Sequence, residues 1–201
     1  WGEDAGKAVK VLERVMADYY IRMNDLIKSH GKTMMMYADI VLAHPGIIDL
    51  LPKDIAMMFW DYMPQEHYQL LDKLCKAAFP VTTLSGLWDW AHLYPACSFA
   101  FRNIASLSRQ SHEMRLTGHF VSSWGDPVSG AGGVNLSELN TYGIAYTAAA
   151  AWKPGNIPVV DFSRAFAREY YGDSEEKLKK ALTQLAELQG DRIAFVRRFF
   201  E

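Results

Sequence analysis

At 201 residues, half of them apolar, the chain is long enough to bury the core of one domain or of a large part of one. Its formal charge of −2 comes from acids and bases mixed along the sequence, which excludes the basic stripe of a protein that binds nucleic-acid grooves. Cys75 and Cys97 lack the spacing of a zinc site or a disulfide framework, and no apolar run reaches the ~18 residues of a membrane span.

Residues 5–30 place Leu12, Val15, Met16, Tyr19, Met23, Leu26 and Ile27 at helical spacing, and Gly31 suits the left-handed residue that ends such a helix. Thr33 to Val41 is a Met-rich apolar run that reads as a buried strand, with Tyr37 and Asp39 near its end. Pro45 to Leu51 reads as a turn or short helix. Ile55 to Trp60 is a second strand, followed directly by Asp61 and Tyr62. A helix is predicted over 65–78, with Tyr68, Leu71, Leu74, Cys75 and Ala78 on its inner face.

Pro80 leads into a third strand, Val81 to Leu84, and the loop from Ser85 to Pro95 carries Trp88, Asp89 and Trp90. A helix over 98–117, a break at Gly118 and a strand from His119 to Trp124 come next. Beyond Asp126 a Gly-rich rim loop, Ser129 to Gly133, leads to a helix over 136–152. The remainder is helical and charged, with Leu178, Leu182, Leu185 and Leu188 expected to face inward.

Apolar strands alternating with helices argue for a parallel sheet. No glycine-rich phosphate loop follows any strand, so a nucleotide-binding sheet loses its main support. Four strands with their crossovers amount to half of an eight-stranded barrel, a fold of roughly 250 residues. The expected fold class is therefore α/β: the carboxyl-terminal half of a (β/α)8 TIM barrel over 1–155, with a helical segment over 156–201 packed on it.

Aromatic residues recur beside acids where these strands end: Tyr37 with Asp39, Trp60 with Asp61 and Tyr62, Trp88 with Asp89, and Trp124 with Asp126. Any one of them is most simply core, and Asp39 and Asp61 are also placed to cap the helices that follow. Recurrence at one end of successive parallel strands points instead to a common opening. An indole or phenol ring covers the C–H face of a pyranose, and a carboxylate accepts hydrogen bonds from its hydroxyls. Such a pocket suits a sugar.

The segments MMMYADI, LPKDIAMMFWDY, SFAFRNIA and SSWGDP, in this order, resemble the second half of the catalytic barrel of glycoside hydrolase family 20, the β-N-acetylhexosaminidases, over residues 1–155. Trp1 with Gly6-Lys7 resembles the stretch just after that family's Asp-Glu catalytic pair. The resemblance implies retaining, substrate-assisted hydrolysis: the acetamido oxygen attacks the anomeric carbon while a Glu protonates the leaving oxygen. It also implies that Trp60, Trp124 and Tyr37 wall the sugar and that Asp61 and Asp126 grip hydroxyls. Tyr37 stands where the family often has Trp. Where the family has a Tyr for the acetamido oxygen, this chain has Ser85-Gly86-Leu87, and Tyr62 is the candidate replacement.

The catalytic acid is expected upstream of Trp1. Glu3-Asp4 has the reverse order and more simply favours the amino terminus of a helix. His30, His44, His67, His92, His112 and His119 lack the spacing of a helical zinc site, so no metal or cofactor is expected. His119 reads as a hydrogen-bonded structural residue.

The expected function is that of an exo-acting β-N-acetylhexosaminidase-like glycosidase of which this chain is a portion, inactive by itself. The alternatives are a non-catalytic carbohydrate-binding protein on the same scaffold and a half-barrel that self-associates. Expected partners are a carbohydrate and either the amino-terminal half of the barrel or another copy, with no nucleic acid and no membrane. The start at Trp1 leaves cytoplasmic and exported locations equally open.

Overall fold

A computed structural model describes residues 2–90, 94–124, 137–153, 157–173 and 177–188. Trp1, His92, Asp126 and the stretch Ser129 to Gly133 lie outside the described residues. The chain is α/β. In order it forms α1 (Gly2–Ser29), β1 (Met35–Tyr37), α2 (Asp39–Ala43), a 3-10 turn (Pro45–Ile47), β2 (Ala56–Trp60), α3 (Gln69–Cys75) and β3 (Val81–Gly86). These are followed by α4 (Cys97–Glu113), β4 (Gly118–Ser122), α5 (Ser137–Trp152), α6 (Val159–Tyr171) and α7 (Lys177–Leu188). The strands make one parallel sheet in the order β1-β2-β3-β4. β1 and β2 are in register with Met35 opposite Ala56 and Tyr37 opposite Met58. This sequential order is compatible with half of a barrel.

Two compact units divide the described residues: 2–60, 68–83 and 115–118 form the first, and 61–67, 84–114 and those from 119 onward form the second. In the first, α1 ends as its glycine requires. Gly31 has φ +67° and donates to Lys28 O at 2.9 Å, and Lys32 donates to Ile27 O at 3.2 Å. Buried Asn24 donates to Asp54 Oδ1 at 3.1 Å, and Lys28 pairs with the same carboxylate, tying α1 to the loop before β2. Val41, Ile47, Leu51, Ile55, Met57, Leu71 and Leu74 fill the interior.

Several expectations are corrected here. The first strand does not run to Val41 but stops at Tyr37, because Asp39 already opens α2. It is not buried either: Met35 and Tyr37 are exposed, since β1 is an end strand of the sheet. Of the α1 stripe, Leu12, Val15, Tyr19 and Leu26 stand at the surface. α3 is shorter than 65–78, Cys75 is half-buried, and Ala78 is exposed with φ 61° beyond the helix end.

β3 continues through Ser85 and Gly86, which belong to the second unit, rather than ending at Leu84, and the Val81–Gly86 strand is buried along its whole length. Helix α4 stops at Glu113, ahead of the expected 117, because Arg115 takes the left-handed conformation (φ 54°) that usually falls to Gly. Leu87, Phe101, Ile104, Tyr142, Tyr146, Phe166 and Leu182 form one core shared by α4, α5, α6 and α7. Phe101 stacks on Tyr146 with ring centroids 3.9 Å apart, and the Tyr142 hydroxyl meets Ser163 Oγ at 2.6 Å. Leu182 is inside as expected, whereas Leu178 and Leu185 are exposed. Among the described residues no helix is long and apolar enough to cross a membrane.

Candidate functional site

The second unit gathers its aromatic and acidic side chains around the end of β3. Gly86 makes room for them: a Cβ there would lie 2.9 Å from Tyr62 Cδ1 and 3.0 Å from the Trp90 ring. Two rings can therefore rest directly on the strand. Tyr62 and Trp90 have centroids 5.1 Å apart, Trp90 and Trp88 4.8 Å, and Trp88 and Phe99 4.6 Å.

Trp88 holds this stack together from a costly conformation. Its φ of 53° is left-handed, a state that costs a non-glycine residue about 1–3 kcal/mol. The surroundings impose it: the indole N–H donates to Tyr62 O at 2.6 Å, and Ala96 N–H donates to Trp88 O at 3.0 Å.

Asp61 and Tyr62 leave β2 in a turn pinned from α4. The buried Asn103 amide donates to Asp61 O at 3.0 Å and to Met63 O at 3.2 Å, and its oxygen accepts from Gly86 N–H at 3.4 Å. The Asp61 carboxylate accepts from Met63 N–H at 2.8 Å and from the Gln65 amide at 2.6 Å. Burial raises the pKa of this carboxyl above its ordinary value, and those two hydrogen bonds offset part of the rise. Asp61 thus closes a turn rather than capping a helix.

From β4, the Trp124 indole N–H donates to Tyr62 Oη at 3.1 Å and Ser122 Oγ donates to the same oxygen at 3.2 Å. Trp124 remains 45% exposed. Beneath it, Asp89 accepts from Ser123 Oγ, from Trp124 N–H at 3.0 Å and from the Asn140 amide of α5 at 2.8 Å. His119 lies on the same strand, with Nε2 3.1 Å from Ser85 Oγ. Burial pushes its imidazole down to about 4, so it is neutral near pH 7.

Of the expected site residues, Asp61, Tyr62, Trp88 and Trp124 come together here. Tyr37, Asp39 and Trp60 belong to the first unit. Tyr37 and Met35, Met36 and Met58 line a hollow of about 200 Å3 there. Asp39 sits in the first turn of α2 without capping it, and Trp60, 40% exposed, ends β2. Asp126 lies outside the described residues. Trp90, Asn103, Ser122, Ser123 and Asn140 complete the arrangement without having been singled out as ligands. The Trp-Asp-Trp run at 88–90 could have flagged Trp90, whereas Asn103 and Asn140 sit on helices with no local signal.

Cys97 is buried and its thiol is pushed up to about 12, which leaves it an inert packing residue. No group of three His, Cys, Asp or Glu among the described residues is placed to hold a metal. The arrangement gathers ring faces, hydroxyls, indole N–H groups and carboxylates at the end of β3, hydrogen-bonded largely to one another. Neither a protein-family model nor a curated protein matches the chain.

Proposed function

We propose that this chain forms the sugar-holding portion of a retaining glycosidase resembling family 20, within the second half of an eight-stranded barrel. The supporting observation is the joint edge made by Trp124 and Tyr62, hydrogen-bonded to each other at the end of the sheet with Asp61 beside Tyr62 in the chain. In this reading Trp124 covers the apolar face of a terminal 2-acetamido sugar and Asp61 accepts from its hydroxyls. Tyr62 supports the N-acetyl assignment, because its ring lies over Gly86, in the stretch where the family's acetamido-binding Tyr would stand. The acid and the acetamido-orienting carboxylate belong to the preceding part of such a barrel.

Calorimetric titration of the 201-residue chain with N-acetylglucosamine tests this. Trp124→Ala is expected to weaken binding about tenfold, the loss of one aromatic stacking contact. Tyr62→Phe is expected to narrow the preference for N-acetylglucosamine over glucose. Absence of saturable binding by the natural chain would sink the proposal.

A second reading, a half-barrel that self-associates, draws on exposed Met35 and Tyr37 on the end strand and on the exposed α1 residues Leu12, Val15, Tyr19 and Leu26. Sedimentation velocity at increasing concentration separates the two, and a persistent monomer removes the second.

A further inference from the structure

Asp89 falls in the aromatic-acid pattern and looks, from sequence, like another carboxylate for sugar hydroxyls. Its surroundings argue otherwise. It is 1% exposed. Its Oδ1 accepts the Trp124 backbone N–H, and its Oδ2 accepts from Ser123 Oγ and from the Asn140 amide. The Asn140 amide also donates to Ser123 Oγ at 2.8 Å, so the three side chains form a closed ring of hydrogen bonds. The elements involved are the loop after β3, the end of β4 and α5. The left-handed backbone at Trp88, the preceding residue, directs the chain into this position, and that conformation is itself held by the indole bond to Tyr62 O.

We infer that Asp89 is a positioning residue: it fixes the backbone of Ser123 and Trp124, and thereby sets the Trp124 indole against the Tyr62 hydroxyl. A buried carboxylate suits the task because it accepts several donors at once, and charge-assisted bonds hold direction better than neutral ones. An amide in its place would turn one acceptor into a donor facing Ser123, Asn140 or the Trp124 N–H. The consequence for sugar affinity rests on the function proposed above, whereas the consequence for Trp124 does not.

The test uses the full 201-residue chain in the natural, Asp89→Asn, Ser123→Ala and Trp124→Phe forms, labelled with nitrogen-15. The Trp124 indole N–H resonance is assigned by its loss in Trp124→Phe, and that of exposed Trp152 serves as reference. Asp89→Asn is expected to shift the Trp124 resonance while the Trp152 resonance stays in place. Ser123→Ala, which removes one donor and keeps the carboxylate, is expected to shift it less, and it decides the matter if Asp89→Asn does not fold. An unmoved Trp124 resonance in a folded variant overturns the inference.

Affinity for N-acetylglucosamine supplies the second readout. Asp89→Asn is expected to lower it about tenfold, as for loss of a charge-assisted hydrogen bond, and to have no effect in the Trp124→Ala background, where no ring is left to position. An equal loss in both backgrounds would mean that Asp89 acts on the ligand directly and would overturn the positioning role. Failure of the natural chain to bind sugar removes the proposed function and leaves the indole measurement to judge Asp89.

Discussion

His119 shows how one residue carries a pH dependence into the fold. With the imidazole held down to about 4, the folded chain binds fewer protons there than the unfolded chain between that value and the ordinary one near 6.5. Stability therefore rises with pH across this window and is lost as pH falls through it, by up to about 3 kcal/mol from this residue. Urea unfolding across the window is expected to show the loss, and His119→Gln is expected to flatten it. A proton-resonance titration with an imidazole midpoint near 6.5 would refute the assignment. Gly86 acts through space rather than charge. Gly86→Ala drives a methyl into the Tyr62 and Trp90 rings, and is expected to cost about 1–3 kcal/mol by overpacking. The midpoint of urea unfolding reads it, and an unchanged midpoint would mean that the rings move aside freely.

At the scale of elements, the turn after β2 depends on a helix some forty residues away in the chain. Asn103 of α4 satisfies two carbonyls and one N–H of the backbone around Asp61 and Gly86. Asn103→Ala strands buried polar groups and is expected to cost about 2–4 kcal/mol, measured by chemical denaturation, with a matching loss of order around Asp61. This contact explains what the sequence could and could not reveal. Strand cores such as Ala56–Trp60 and helices such as Ser137–Trp152 follow from local pattern. Boundaries failed where a local rule was overridden. Met34 to Leu42 is apolar almost throughout, yet Asp39 begins a helix within it. Arg115 took the place of the usual glycine at the end of α4. Trp88 and Trp124 were legible as members of the cluster because aromatic-acid pairing is local, whereas Asn103 and Asn140 reach their partners only through tertiary packing. Asp89 was legible as an acid beside an aromatic, whereas its burial is a property of the fold.

For the whole molecule, the parallel sheet and the aromatic cluster bear on activity together. The proposed reaction needs an acid that protonates the leaving oxygen and a carboxylate that orients the acetamido group. The 201-residue chain is accordingly expected to bind N-acetylglucosamine while releasing no nitrophenol from nitrophenyl N-acetyl-β-glucosaminide. The same residues continued upstream through an Asp-Glu pair are expected to release it. Robust turnover by the chain alone would redirect attention to Glu3 and Asp4, in the first turn of α1.

The strand order β1-β2-β3-β4 also has a meaning for biosynthesis. Among the described strands, β2, β3 and β4 each hydrogen-bond to the one translated just before, so these three pairings need no distant partner. The sheet can be extended ply by ply as the polypeptide emerges from the ribosome, which shortens the time during which an apolar strand such as Ala56–Trp60 or Val81–Gly86 is left unpaired.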